Sequence, residues 1–344
     1  MSPIIRECEE RKIEYSILHT GQHYSYNMDK VFFEELELPQ VRYNLDIGSG
    51  MHGEQTGKML IEIEKVLIEV KPDIVLVEGD TNTVLSGAIA ACKLGIKVGH
   101  VEAGLRSYDR KMPEEINRIL TDHCSDYLFA PTNLAKRNLL KEGIPGDKIY
   151  ETGNTIVDAV KQNLEIARKK VNILEKLNLE QRNYFLITSH RQENVDNAGR
   201  LKGIFEGLRM VNNKYNLPII YPVHPRTMKQ IKEFGLEIPR GVQLIEPLGF
   251  LEFLQLEANA RLVFTDSGGV QEETCILKIP CVTLRDNTER PETIKVGGNI
   301  LAGTDKDRIL ECTNIMLKKE INWTNPFGNG ESSIKIIDII ENDA

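Results

Sequence analysis

The chain has 344 residues, 41% of them hydrophobic and 27% charged, enough for two domains that each bury a core. Its formal net charge of −8 argues against nucleic acid or an anionic membrane as the main partner, because both reward a basic surface. No stretch approaches the roughly 18 apolar residues of a membrane span and no signal peptide opens the chain. Six scattered cysteines, without a close metal-type pair, read as reduced core thiols of a cytoplasmic protein.

In chain order, residues 1 to 11 read as a helix and Ile13 to His19 as a strand. A helix from about Tyr26 to Leu36 and a loop through Gly48 follow, then an amphipathic helix from about Glu54 to Val70 with apolar residues at 59, 60, 63, 66, 67 and 70. Asp73 to Gly79 reads as a buried strand, Asn82 to Leu94 as a helix closed by Gly95, and Ile96 to Val101 as another strand. Pro113 followed by Glu114 is a helix-start signature, and Tyr127 to Ala130, a helix from Leu134 and a strand at Ile149 complete this half. One long helix is expected from Thr155 to about Lys176. The second half repeats short apolar strands at Tyr184–Thr188, Pro218–Val223, Val242–Ile245, Leu262–Thr265, Pro280–Leu284 and Asn299–Ala302. Strand and helix alternate throughout, so both sheets should be parallel. The expected domains are 1–160 and 161–330, with a C-terminal helix in 331–344 that packs back on one of the halves.

In open α/β sheets ligands bind beyond the carboxyl ends of strands, and polar residues gather there. The first half offers Glu78-Gly79-Asp80-Thr81 and then His100 to Arg106; the second offers Ser189-His190-Arg191, His224-Pro225-Arg226, Asp266-Ser267-Gly268-Gly269 and Arg285 to Arg290. Paired glycines between the strand at Leu262 and the next helix let backbone approach a ligand, and the helix adds unpaired N–H groups and its positive dipole end, a cradle for phosphate. The same stretch also reads as a tight turn with a serine cap. Glu272 and Glu273, one turn on, either bind a ribose diol or complement the dipole. Glu114 and Arg118 stand four apart on one helical face, the spacing of an ion pair. One half thus supplies carboxylates (Asp80, Glu102, Glu114), the other a phosphate cradle, histidines and arginines, with no spacing that demands a metal.

These segments carry a specific resemblance. TGQH (20–23), VEGDTNT (77–83), GHVEAGLRS (99–107), MPEEINR (112–118), GNTIVD (153–158), TSHRQEN (188–194), YPVHP (221–225), TDSGGVQEE (265–273) and RDNTERPE (285–292) together resemble the non-hydrolysing UDP-N-acetylglucosamine 2-epimerases. The resemblance implies two Rossmann-like doubly wound domains facing across a cleft, the glycosyltransferase-B architecture, in a cytoplasmic homodimer without cofactor. It implies interconversion of UDP-N-acetylglucosamine and UDP-N-acetylmannosamine by anti elimination and return of UDP. The matching acid/base candidates are Asp80, Glu102 and Glu114, with Arg118 holding Glu114 ionised. Ser267, Gly268, Gly269, Arg290 and His190 would stabilise the departing diphosphate, Glu273 would bind the ribose, and Leu248 to Phe253 would flank the uracil. Gln22, His23, Arg191 and His224 match a second, regulatory sugar-nucleotide site of bacterial relatives, although Lys58 stands where an arginine is expected. A glycosyltransferase of the same fold, a hydrolysing epimerase and a non-catalytic UDP-sugar-binding protein are the competing readings.

The family pattern places a strand and a GTRPE-type loop just ahead of the point aligned with Met1. Losing a central strand would cost more than a domain's typical stability of about 5–15 kcal/mol, so the natural protein is expected to be longer. In-frame GTRPE-like codons upstream of Met1 are the check.

Overall fold

A computed structural model describes residues 1–22 and 33–343 of the chain. The helix expected from Tyr26 and the candidate His23 fall largely or wholly outside those described residues. The chain divides into two compact units, Met1–Ala159 with Phe327–Ala344, and Val160–Pro326.

The first unit holds a two-stranded parallel pair, β1 (Leu18–His19) with β2 (Tyr43–Asn44), and a four-stranded parallel sheet. The latter runs in the order β3 (Ile74–Glu78), β4 (Lys97–Val101), β5 (Tyr127–Ala130), β6 (Ile149–Glu151). The apolar run from Ile13 thus yields only two residues of strand. β3 is half-buried apart from Val77, not buried throughout, because it forms one edge of this sheet; β5, flanked on both sides, is buried at every residue. The amphipathic helix His52–Val70 places Met59, Ile63 and Leu67 in one core cluster with Val77, Val84, Ala88 and Val98. The C-terminal helix Ser332–Asp343 packs on the N-terminal helix Ser2–Arg11. Its start is held by Asp158, which accepts from the Ser333 amide and hydroxyl at 2.9 and 2.8 Å.

The second unit contains one six-stranded parallel sheet: β7 (Phe185–Thr188), β8 (Ile219–Pro222), β9 (Val242–Ile245), β10 (Leu262–Thr265), β11 (Cys281–Thr283) and β12 (Asn299–Leu301). The spatial order is β12-β11-β10-β7-β8-β9. Counting β7 as the first strand, this is the doubly wound order 3-2-1-4-5-6, whose direction reverses between β7 and β10. β7 and β10 are continuous apolar runs because helices cover both faces of the sheet.

The helix beginning at Thr155 is not continuous to Lys176. It ends at Lys170, and a short helix Ile173–Lys176 follows. Gln255 produces the break: its Oε1 accepts from the Ile173 amide at 2.8 Å and its Nε2 donates to the Val171 carbonyl at 2.9 Å, satisfying backbone groups that the helix would otherwise pair. Four cysteines are buried, but Cys92 is exposed at a helix end and Cys124 half-buried, so the expectation of core thiols fails for Cys92. Among the described residues no helix is long and apolar enough to cross a membrane.

Candidate active site

In the first unit, β3 ends in Glu78 and turns through Gly79, at φ 90°, into Asp80. Asn117, from the helix Pro113–Cys124, fixes this turn by donating to the Asp80 carbonyl at 2.9 Å and to Asn82 Oδ1 at 3.1 Å. Asn82 opens the helix Asn82–Lys93 and donates to Gln55 Oε1 at 2.9 Å. The Asp80 side chain, about a third exposed at 32%, is held by Arg118 Nη2.

Arg118 does not pair with Glu114. Its Nη1 donates to Glu115 Oε2 at 2.8 Å, and Glu115 rather than Glu114 is the buried residue of the two. The loop explains the switch: the Glu115 carboxylate also accepts from the Ser107 and Tyr108 amides at 2.9 and 2.8 Å, a set of donors that only the inward-facing side of the helix reaches. Burial pushes the Glu115 carboxyl up, but those amides and Arg118 outweigh it and hold the group below its ordinary value. Arg118 therefore bridges a buried, ionised carboxylate and an accessible one. Glu114 stands exposed on the first turn.

Glu102 follows β4 with a left-handed backbone, φ 71°, uncommon for a residue with a side chain. Asn154 donates to its Oε1 at 3.2 Å, and a Cβ placed on Gly79 would lie 3.7 Å from its Oε2. Asp80 and Glu102 thus lie at neighbouring strand ends, with Glu114 outside the bonded cluster.

In the second unit the loops after β7 and β10 meet at the reversal point of the sheet. Fully buried Asp266 organises them, accepting from Ser189 Oγ at 2.7 Å, the His190 and Arg191 amides at 3.1 and 3.2 Å, and Asn194 Nδ2 at 3.0 Å. The His190 ring is left 54% exposed, its Nδ1 3.5 Å from Asp266. Ser267 precedes the helix Gly268–Leu277 and makes no side-chain capping bond, so the serine-cap reading of this turn does not hold and the serine oxygen takes up none of the N–H groups of the helix start. A Cβ on Gly268 would come within 2.7 Å of Glu289 Oε1, whereas at Gly269 the nearest atom would be Ser267 Oγ at 4.0 Å. Glu289 accepts from Arg285 at 2.6 Å and Arg191 at 2.9 Å; burial raises its carboxyl, and the arginines more than offset this. Arg290 pairs with buried Glu272, Nε to Oε1 2.9 Å.

Leu248 and Phe253 pack against the cluster containing Val263 and Val270, flanking the same helix. Beneath it, fully buried Glu257 meets no donor among the described residues and lies against Glu273. Burial and the second carboxylate push the Glu257 carboxyl well above the ordinary range.

Of the residues matched to a regulatory site, Gln22, Arg191 and His224 take capping and pairing roles. Gln22 Oε1 accepts from the Thr83 amide at 3.1 Å and hydroxyl at 2.7 Å, closing the start of the helix Asn82–Lys93. His224 Nδ1 accepts from the Arg226 amide at 3.2 Å, and Arg191 pairs with Glu289. Sequence reasoning missed Glu115, Asp122, Asn117 and Glu289; the only signal for Glu115 was its place beside Glu114 in MPEEINR.

Two parallel α/β units, the second doubly wound, with polar loops at strand ends, define a nucleotide-sugar enzyme of the glycosyltransferase-B class. The UDP-N-acetylglucosamine 2-epimerase family model matches residues 6–341, and the chain belongs to that family. It is 61% identical over 346 residues to UDP-N-acetylglucosamine 2-epimerase of Methanocaldococcus jannaschii, covering 99% of this chain and 94% of that protein. The crystal structure of the M. jannaschii enzyme in complex with UDP-GlcNAc and UDP superposes with a TM-score of 0.87 over 99% of this chain and 95% of that one, at 61% identity. The Neisseria meningitidis enzyme bound to UDP-GlcNAc gives the same TM-score at 34% identity, over 99% and 96% of the two chains.

Proposed function

We propose that the protein interconverts UDP-N-acetylglucosamine and UDP-N-acetylmannosamine by eliminating UDP across the C1–C2 bond and adding it back after the proton at sugar carbon 2 has changed face. That proton is not adjacent to a carbonyl and becomes acidic only as the anomeric C–O bond loosens, so stabilising the departing diphosphate is half of the catalysis. The uncapped helix start at Ser267 to Gly269, with His190 and Arg290, is assigned to the diphosphate, Glu273 to the ribose, and Leu248 and Phe253 to the uracil. Proton transfer on two faces needs at least two groups, each contributing roughly 10²–10⁴ in rate. Asp80, Glu102 and Glu114 are the candidates.

The observation that carries this reading is the Asp80–Arg118–Glu115 cluster. A partly exposed carboxylate is kept oriented by a guanidinium that is itself anchored on a buried carboxylate. Incubation with UDP-N-acetylglucosamine in deuterium oxide tests it: a two-way mixture of UDP-sugars with deuterium at carbon 2 is expected. UDP binding without deuterium incorporation would leave a binding protein, and free N-acetylmannosamine a hydrolysing enzyme. The family expectation also makes the enzyme a cytoplasmic homodimer, and light scattering reads the assembly.

A further inference from the structure

β4 carries a fully buried histidine, His100, among the apolar neighbours Val98 and Val101. Space filling alone would be served by another valine, yet both ring nitrogens have polar partners. Nδ1 lies 2.6 Å from Asp122 Oδ1 and Nε2 lies 2.9 Å from the Gly79 carbonyl. Asp122, equally buried, comes from the helix that carries Glu115 and Arg118. Its second oxygen accepts from the Gly104 amide at 3.2 Å and lies 2.7 Å from Arg106 Nη2, which in turn reaches Glu142 at 2.6 Å.

These contacts fall on the backbone at both candidate strand ends. Gly79 immediately precedes Asp80, and Gly104 is two residues past Glu102. Gly79, Glu102 and Gly104 all have left-handed backbone, at φ 90°, 71° and 81°, conformations that persist where surroundings fix them. Gly104 has no room for a side chain, since a Cβ there would run into the Ala135 carbonyl, and Asn138 donates to its oxygen at 3.0 Å. The ring of His100 is thus bonded both to the turn before Asp80 and to the carboxylate that grips the loop after Glu102.

We propose that His100 is a positioning residue for the epimerisation: through Gly79, and through Asp122 and Gly104, it sets where Asp80 and Glu102 present their carboxyl groups. The inference rests on the reading of those two as acid/base groups.

The test uses full-length His100→Leu and His100→Gln, with kcat, KM for UDP-N-acetylglucosamine, deuterium incorporation at carbon 2, UDP affinity by calorimetry and Tm measured together. Misplacing a catalytic group by about 1 Å can cost about 10²-fold. The expected result for His100→Leu is a fall of roughly 10- to 100-fold in kcat and deuterium incorporation, with KM and UDP affinity within about threefold of the parent. His100→Gln keeps an N–H for the Gly79 carbonyl and should recover part of the loss; if His100→Leu does not fold, this variant decides the matter. Asp122→Asn combined with His100→Leu should cost less than the sum of the two, as for one device. Unchanged turnover in the folded variants overturns the proposal, as does a loss of turnover only in step with UDP affinity and Tm, the pattern of general destabilisation. Full activity in Asp80→Asn and Glu102→Gln would instead overturn the acid/base reading on which it rests.

Discussion

Asp80 follows β3 in the first unit and Asp266 follows β10 in the second, each at the carboxyl end of a parallel strand and each within two residues of a glycine. Asp80 is a third exposed and has Arg118 as its side-chain partner; Asp266 is fully buried and takes four donors from the loop after β7. The first arrangement leaves a carboxylate able to meet a substrate, and the second consumes a carboxylate in shaping the loop that presents His190. Position after a strand therefore marks both residues, while burial and the number of donors decide between chemistry and architecture.

The sharpest way to break this contrast is Asp80→Asn. It should lower deuterium incorporation at carbon 2 by roughly 10²–10⁴ with the thermal midpoint little changed. Asp266→Ala should do the reverse in kind, leaving several buried donors unpaired at about 1–3 kcal/mol each, a loss read as a lower urea midpoint. Stability lost at Asp80 and kept at Asp266 would invert the assignment. A smaller effect is expected for Arg118→Lys, because an ammonium cannot span Asp80 and Glu115 as the planar guanidinium does. Turnover should fall about tenfold, about 1.4 kcal/mol in the barrier, at near-constant KM.

These variants also mark where sequence reasoning reached and where it stopped. The buried strands of the second unit were legible because a strand covered on both faces must be a continuous apolar run, and Val242–Ile245 and Leu262–Thr265 agree with the observed strands to the residue. The strand Ile13 to His19 shrank to two residues, since apolar composition does not say whether a pairing partner lies alongside. The break before Ile173 depends on Gln255, 82 residues away, and no local pattern announces it. Periodicity placed Glu114 and Arg118 on one face correctly, but the loop amides at Ser107 and Tyr108 drew in the neighbouring glutamate and the arginine with it.

The contrast extends to pH. Burial and then Glu273 raise the Glu257 carboxyl well above 4.5, so the folded protein keeps a proton that the unfolded chain releases. Its stabilising contribution is complete below about pH 4.5 and declines as pH rises toward the folded-state value. Glu257→Gln should flatten that decline, seen by comparing urea midpoints at about pH 5 and about pH 8 in both proteins. Parallel pH profiles would show that the proton is not held there. At the small end, Lys65→Ala removes an exposed pair with Glu62 and should change stability by less than about 0.5 kcal/mol.

The last helix returns to the unit in which the chain began, anchored by Asp158 at Ser333, so the second unit is an uninterrupted insertion from Val160 to Pro326 within a discontinuous one. During synthesis, the later-translated insertion can therefore mature while the earlier segment still waits for its closing helix to leave the ribosome. The unit that opens the polypeptide is thus the one that needs residues from both of its ends, whereas the insertion draws on a single continuous stretch.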